Sequence, residues 1–139
     1  MRIPAPETSD VPIRVGFDLT SVADVERELL APTRDRYLAR IYTEREISDC
    51  TTAEGVRAES LAARFAAKEA TIKVLPPSDR GFSLRDIEVR RPASGPVQVV
   101  LRGAVAELAR SAGIAELSVS LTHESGMAGA VVVAEYTSP

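Results

Sequence analysis

The feature that most constrains the fold is a long helical stretch in the middle of the chain. Residues 53 to 75 place large apolar side chains at helical spacing, and Pro76 ends the pattern. These apolar residues are Leu61, Phe65, Ile72 and Leu75. Between them lie the alanines of LAARFAAKEATIKVL, whose small side chains allow other elements to pack closely. We therefore expect one long helix with the rest of the chain packed against it.

The segment before this helix predicts one strand and several short helices. Residues 13 to 20, IRVGFDLT, alternate apolar and polar side chains, which is typical of a strand with one buried face. The buried face is expected to carry Ile13, Val15, Phe17 and Leu19. Ser21 and then Thr43 are placed to cap helices, with an acidic residue three positions later in each case. Three short helices are expected between the strand and residue 50.

The segment after the long helix predicts strands joined by one further helix. Residues 86 to 91 and 97 to 103 form an expected antiparallel hairpin, and residues 104 to 113 an expected helix ending at Gly113. Two last strands are expected on either side of the turn Ser125-Gly126-Met127. This order favours an α+β fold with a mainly antiparallel sheet packed with one long helix and several short ones.

Size and composition narrow the class of protein. The 139 residues suit one domain, expected over 13 to 136, after a proline-bearing lead-in at 1 to 12 that we expect to be flexible. Charged residues make up 27% and the net charge is −3, which disfavours a general nucleic-acid binder. No apolar run reaches membrane-span length and the N-terminus lacks a signal-peptide core. With one cysteine, Cys50, a reducing, cytoplasmic location is expected.

Asp18 is the first candidate functional residue. It lies on the polar face of the first expected strand, near its C-terminal end. A carboxylate in this position can serve a turn or a helix cap, or it can belong to a site. The residue pattern leaves both interpretations open.

Glu69 and Lys73 form a second candidate pair on the long helix. Their spacing, glutamate four residues before lysine, suits a surface ion pair worth about 0.3–0.5 kcal/mol. The surrounding alanines indicate instead that other structure covers this face, where a carboxylate requires a metal or a cation as partner.

His123 is the only histidine and ends an expected strand. Strict alternation places it on the same side as Val119 and Leu121, which predicts a half-buried imidazole. Either a core role or a ligand pocket fits that position.

Taken together, these residues leave one class of site open. The sequence contains no phosphate-binding glycine loop, no cysteine pair and no usual zinc set. Carboxylates that hold Mg²⁺ together with substrate phosphates remain compatible, and Mn²⁺ suits the same oxygen ligands. Asp18 and Glu69 are the candidate metal ligands, with Lys73 and His123 available to phosphate charge.

Four segments in order resemble the holo-acyl-carrier-protein synthase family of small phosphopantetheinyl transferases. They are VGFDLTSV, LAARFAAKEATIKVL, DIEV and VSLTHESGMAGAVVVAE, and the resemblance covers about residues 13 to 136. It implies the fold of that family. It also implies an Mg²⁺-dependent enzyme that moves 4′-phosphopantetheine from coenzyme A to a serine of an acyl carrier protein and releases adenosine 3′,5′-bisphosphate. Homotrimers with active sites at subunit interfaces are implied as well.

The resemblance also assigns roles to individual residues. Asp18 and Glu69 match metal-binding, catalytic carboxylates, and Lys73 matches a lysine that contacts phosphate and assists catalysis. His123 matches a histidine near the phosphates of coenzyme A. Arg64 and Lys68 lie in the same motif, with either a structural or a phosphate-binding role.

Two departures from the family pattern affect the expected partners. The glycine-rich segment that commonly follows the lysine is replaced by VLPPSDRGFS, so nucleotide binding would rely on side chains such as Arg80. Asp24 stands where many relatives have an arginine that meets the acidic carrier protein. Docking would then use other arginines of the early helices, namely Arg27, Arg34, Arg36 or Arg45.

Three functions therefore follow as alternatives. The first is transfer to a fatty-acid carrier protein, or to a carrier protein of secondary metabolism. The second is coenzyme A binding without transfer, and the third is a structural trimer without a ligand, which would not require both carboxylates.

Overall fold

The computed structural model describes residues 13–137. The expected lead-in at 1 to 12 lies outside these residues. The elements follow one another as β1 (Ile13–Ser21), α1 (Val22–Leu30), α2 (Arg34–Ile41), α3 (Glu44–Asp49), β2 (Thr51–Thr52), β3 (Gly55–Val56), α4 (Ala58–Val74), β4 (Ile87–Arg90), β5 (Gln98–Leu101), α5 (Gly103–Ala112), β6 (Ile114–Glu124) and β7 (Met127–Tyr136). A short 3-10 helix, Leu84–Asp86, precedes β4. The predicted order of helices and strands is confirmed, apart from β2, β3 and this short helix.

The sheets are antiparallel, as predicted. The main sheet has the order β1-β7-β6, and two small hairpins pair β2 with β3 and β4 with β5. In the main sheet Phe17 lies opposite Val131, which lies opposite Ser120. The α+β architecture with one long helix is therefore confirmed.

Helix α4 lies between the main sheet and a second layer. Five alanines of α4 pack with alanines and valines of β7 and with the small elements around them, and each is buried: Ala62, Ala63, Ala66, Ala67 and Ala70. On its other side, Leu61 packs with Val25, Leu38 and Tyr42 of the short helices. The alanines, rather than the large residues of the sequence pattern, thus form the closest contact with the sheet.

Capping at the short helices agrees with the sequence. The Ser21 hydroxyl accepts a hydrogen bond from the Asp24 N–H, and Thr43 and Glu46 form a reciprocal capping box. Helix α4 begins at Ala58 rather than near residue 53, because the β2–β3 hairpin occupies 51 to 56. Gly55 provides the positive φ that this hairpin requires.

The prediction for the buried face of β1 was wrong. Ile13, Val15, Phe17 and Leu19 are 52–64% exposed, whereas Gly16 is buried on the opposite face. A β-carbon at Gly16 would stand 2.0 Å from the Ala70 carbonyl oxygen of α4. Only a glycine permits this close approach, so the face with Gly16 and Asp18 contacts the helix. The apolar face is left uncovered in one chain.

None of the helices within residues 13–137 combines the length and the apolar character that crossing a membrane requires.

Candidate active site

Asp18 and Lys73 meet where β1 crosses α4. The Lys73 ammonium donates to an Asp18 carboxylate oxygen at 3.2 Å and to the Phe17 carbonyl oxygen at 2.7 Å. Asp18 is 21% exposed and Lys73 52%, so this ion pair opens to solvent. The alternative ion pair between Glu69 and Lys73 is not formed, because β1 supplies the partner of the lysine.

Glu69 lies one helical turn before Lys73, on the same flank of α4. Its side chain is half-buried and, among the described residues, has no hydrogen bond or ion pair. A half-buried carboxylate without a partner, one helical turn from the lysine that binds Asp18, fits a hard cation that oxygen ligands hold. We call Asp18, Glu69 and Lys73 the β1 flank.

The donor set of the β1 flank suits Mg²⁺ bound together with a substrate. Within residues 13–137, no three His, Cys, Asp or Glu side chains converge in a group that could hold a metal. Two carboxylates are what Mg²⁺ commonly takes from a protein when phosphates and waters complete its six ligands. The residues present therefore fit this ion, with Asp18 and Glu69 as its protein ligands.

His123 lies near the other flank of α4, at the end of β6. Its Nδ1 is 3.4 Å from a carboxylate oxygen of Glu59, and its side chain is 54% exposed, more than predicted. His123 also lines a cavity of about 390 Å³ together with Ser60, Arg64 and Arg91. We call Arg64, Arg91 and His123 the β6 flank.

Arg64 contributes a buried cation to this cavity. The residue is only 4% exposed, and one guanidinium nitrogen donates to the Ser60 carbonyl oxygen at 3.3 Å. The buried Nε has no hydrogen-bond partner among the described residues. Since buried N–H groups rarely remain without an acceptor, this donor fits an anionic ligand in the cavity. Arg91, the second arginine here, was missed from the sequence because it follows β4 and approaches His123 only in the folded chain.

The two flanks lie on different sides of α4. Arg64 and Glu69 are five residues apart, which rotates their side chains by about 140° around the helix axis. The structure therefore brings Asp18 to Lys73 and His123 to Arg64, but it does not gather all the predicted site residues around one cavity of a single chain.

Lys68 does not belong to either flank, which corrects its assignment to phosphate binding. Its side chain is fully buried, and its ammonium donates to Glu46 Oε1, the Leu84 carbonyl and the Ile87 carbonyl at 2.8, 2.9 and 2.6 Å. All three N–H donors are thus used inside the protein. Burial lowers the pKa of Lys68, and the charge of Glu46 opposes that shift.

Arg80 also lies apart from both flanks. Its guanidinium is 3.5 Å from a Glu107 carboxylate oxygen on α5, and its side chain is 71% exposed. The sequence predicted that Arg80 would bind the nucleotide in place of a glycine-rich loop. The position of this side chain does not support that prediction.

A third region presents arginines between α2 and the segment before β4. A groove of about 520 Å³ is lined by Arg36 and Arg40, with Tyr37 and Phe82 as its aromatic walls and Glu28 at its rim. Arg36 was among the predicted docking residues, whereas Arg40 was missed. The helical spacing of four residues between them was the available signal.

Comparisons with known proteins match most of the chain. Residues 14–125 match a family model described as the 4′-phosphopantetheinyl transferase superfamily. The chain is 39% identical over 127 residues to a holo-[acyl-carrier-protein] synthase of Anaeromyxobacter dehalogenans, covering 90% of this chain and 97% of that protein.

Solved structures give the same result. An ACPS-CoA complex of Chronobacterium ammoniagenes is 31% identical, with a TM-score of 0.76, and covers 91% of this chain and 98% of its own. A holo-[acyl-carrier-protein] synthase of Helicobacter pylori in complex with coenzyme A is 29% identical, with a TM-score of 0.71, and covers 87% and 99%.

Proposed function

Because this chain belongs to the holo-[acyl-carrier-protein] synthase family of 4′-phosphopantetheinyl transferases, we propose that it transfers 4′-phosphopantetheine from coenzyme A to a serine of an apo acyl carrier protein. The observation that carries the proposal is the meeting of Asp18 with Lys73, one turn from Glu69. The resemblance in sequence assigned these three residues to the reaction, and the contact between Asp18 and Lys73 supports that assignment.

The proposed reaction is a displacement at the β-phosphorus of coenzyme A. The serine oxygen of the carrier forms a bond to this phosphorus, and the bond to the bridging oxygen of the diphosphate breaks. Adenosine 3′,5′-bisphosphate leaves with that electron pair. The serine proton passes to a carboxylate of the β1 flank, directly or through a water.

Each flank has its own part in this reaction. Asp18 and Glu69 would hold Mg²⁺, which neutralises and orients the diphosphate when bound. The Lys73 ammonium adds fixed positive charge where negative charge develops. Arg64, Arg91 and His123 would bind the nucleotide phosphates, with the orphaned Nε of Arg64 as one donor. As in other phosphoryl transfers, positioning and charge stabilisation supply most of the catalysis.

The uncovered face of β1 supports our proposal of a homotrimer. Ile13, Val15, Phe17 and Leu19 form an apolar strip along an edge strand, continued by Val131 and Met127 of β7. Contiguous exposed apolar surface of this kind marks an interface. We propose that neighbouring copies cover it in a homotrimer and bring the β1 flank of one protomer to the β6 flank of the next.

The groove of Arg36 and Arg40 is our proposed docking site for the acidic carrier protein. Their guanidinium groups meet carboxylates of the carrier, and Tyr37 and Phe82 contact its apolar residues. Asp24, Glu26 and Glu28 are exposed on the neighbouring α1. This acidic surface favours a carrier that is less acidic where it faces α1, such as one of secondary metabolism.

The test is a transfer assay with several carriers. The protein is incubated with coenzyme A, Mg²⁺ and apo carrier proteins of fatty-acid and secondary metabolism, and the products are weighed by mass spectrometry. We expect the mass of one phosphopantetheine arm on at least one carrier. Tight coenzyme A binding without any mass gain would instead support the non-transferring alternative.

A further inference from the structure

Lys68, the residue that precedes the proposed metal ligand Glu69, has its ammonium anchored inside the protein. Lys68 precedes Glu69 on α4, yet its side chain points into the layer opposite the sheet. Its three acceptors come from α3, from the 3-10 helix and from the start of β4. One side chain thus ties α4 to three separate elements.

Glu46 completes this anchor from α3. Its Oε1 accepts from the Thr43 N–H at 2.9 Å as well as from Lys68, and its Oε2 accepts from the Val89 N–H at 2.9 Å. Both side chains are fully buried, and each of their polar atoms has a partner. We call Lys68 and Glu46 the Lys68–Glu46 clamp.

On the opposite side of α4, directional hydrogen bonds to the sheet lie only near the helix C-terminus, where Lys73 donates to the Phe17 carbonyl and Tyr136 donates to the Val74 carbonyl. Alanines face the sheet on this side, and the contact between Gly16 and Ala70 sets the distance between β1 and the helix. Alanine side chains have no long protrusions that would resist a small rotation or sliding of the helix. Directional hydrogen bonds do resist such movements, and the clamp supplies them.

We propose that Lys68 and Glu46 are positioning residues that fix the rotation and axial position of α4, so that Glu69 meets Asp18 in the geometry that a metal ion requires. This inference rests on the proposed function of the β1 flank. Mg²⁺ demands nearly ideal octahedral ligands, so a shift of α4 by a fraction of a turn weakens the site. A buried ion pair commonly contributes little net stability compared with apolar residues, whereas its fixed geometry can specify one arrangement.

The experiment measures metal affinity rather than activity alone. Binding of Mn²⁺ is titrated in the presence of coenzyme A and followed by electron paramagnetic resonance, which counts the free ion. The variants are Lys68→Met, Glu46→Gln and the uncharged double variant Glu46→Gln/Lys68→Met. We expect the dissociation constant for Mn²⁺ to rise about tenfold in each, as for other residues that orient metal ligands. The Mg²⁺ concentration for half-maximal transfer should rise in parallel.

Thr71→Val is the matched control. Thr71 is fully buried on the same helix, but its hydroxyl donates only to the Ala67 carbonyl within α4. This variant should retain wild-type metal affinity. A purely structural role of the clamp would reduce the folded fraction and leave the dissociation constant of the folded molecules unchanged. If the methionine variants do not fold, the test uses Glu46→Gln, which preserves the side-chain volume and keeps one acceptor oxygen.

Failure of the inference can be separated from failure of the proposed function. If Glu69→Gln weakens Mn²⁺ binding but the clamp variants bind it like the wild type, the clamp does not position the site. If Glu69→Gln also binds Mn²⁺ like the wild type, the metal assignment itself is wrong and the inference falls with it.

Discussion

The two flanks of α4 differ in charge and in the origin of their residues. The β1 flank combines two carboxylates with one lysine, whereas the β6 flank combines two arginines with a histidine. The first set suits a metal and the reacting diphosphate, and the second suits phosphate groups that do not react. In the proposed function, one helix therefore separates the reacting groups from the groups that bind the substrate, and the two sets are about 140° apart around its axis.

The largest effect should come from the β1 flank. Glu69→Gln removes a proposed metal ligand while preserving size, and we expect kcat to fall about a thousandfold. Coenzyme A should still bind, because the β6 flank is intact. Steady-state kinetics measure kcat, and calorimetry measures the affinity for coenzyme A. Glu59→Gln, the same substitution at the other flank of α4, is the matched control, and equal losses in both variants would remove the distinction between the flanks.

The next largest effect should come from the uncovered strip of β1. Phe17→Asp places a charge on the apolar face, so we expect the protein to become monomeric. The transfer rate should then fall about a hundredfold, because the β1 flank of one protomer no longer meets the β6 flank of the next. Analytical ultracentrifugation gives the mass. Leu30→Asp alters a residue that is 87% exposed on α1 and should leave the assembly unchanged. A trimeric, fully active Phe17→Asp variant would contradict the proposed interface.

A smaller effect is expected at the β6 flank. His123→Ala should raise the KM for coenzyme A about tenfold with little change in kcat, which corresponds to about 1.4 kcal/mol of lost binding. Arg80→Ala is the control, because its guanidinium lies against Glu107, and its KM should match the wild type. A fall in kcat for His123→Ala at unchanged KM would place the imidazole in the chemical step.

The smallest effect is expected from Glu59, which lies beside His123. The Arg57 guanidinium holds the pKa of the Glu59 carboxyl below its usual range, so Glu59 is charged at neutral pH and competes with phosphate for the imidazole. Glu59→Gln should lower the KM for coenzyme A about twofold at low salt, since exposed ion pairs are weak and screened. A raised KM would show that Glu59 instead supports phosphate binding.

Local patterns in the sequence predicted most of the fold, because capping residues and periodicity act within a few residues. Ser21 and Thr43 began their helices as expected, and the β4–β5 and β6–β7 pairs formed. The alternation of β1 was read correctly, but its buried face was not. Alternation along a strand does not show which of its faces is covered. The contact between Gly16 and Ala70, which decides this for β1, joins residues 54 positions apart in the sequence.

The candidate site was predicted only in part for a similar reason. Asp18, Glu69, Lys73 and His123 were candidates from their positions in the sequence, and a resemblance assigned their roles. The structure adds their contacts. The burial of Lys68 depends on Glu46, which lies 22 residues away in the sequence. The sequence pattern around Glu46 predicts only a helix-capping role. Arg91 and Arg40 become candidate binding residues only because the fold brings other binding residues close to them.

Complementation between two impaired variants tests the division between flanks most directly. Asp18→Asn and His123→Ala chains are coexpressed in equal amounts, and transfer is compared with each variant alone. If neighbouring copies share the site, about a quarter of the interfaces in a random trimer pair an intact β1 flank with an intact β6 flank. We therefore predict recovery of about a quarter of the wild-type rate at coenzyme A concentrations well below the wild-type KM, where His123→Ala alone reaches only about a tenth of that rate. Activity that never exceeds the average of the separate variants would show that each chain holds its own complete site.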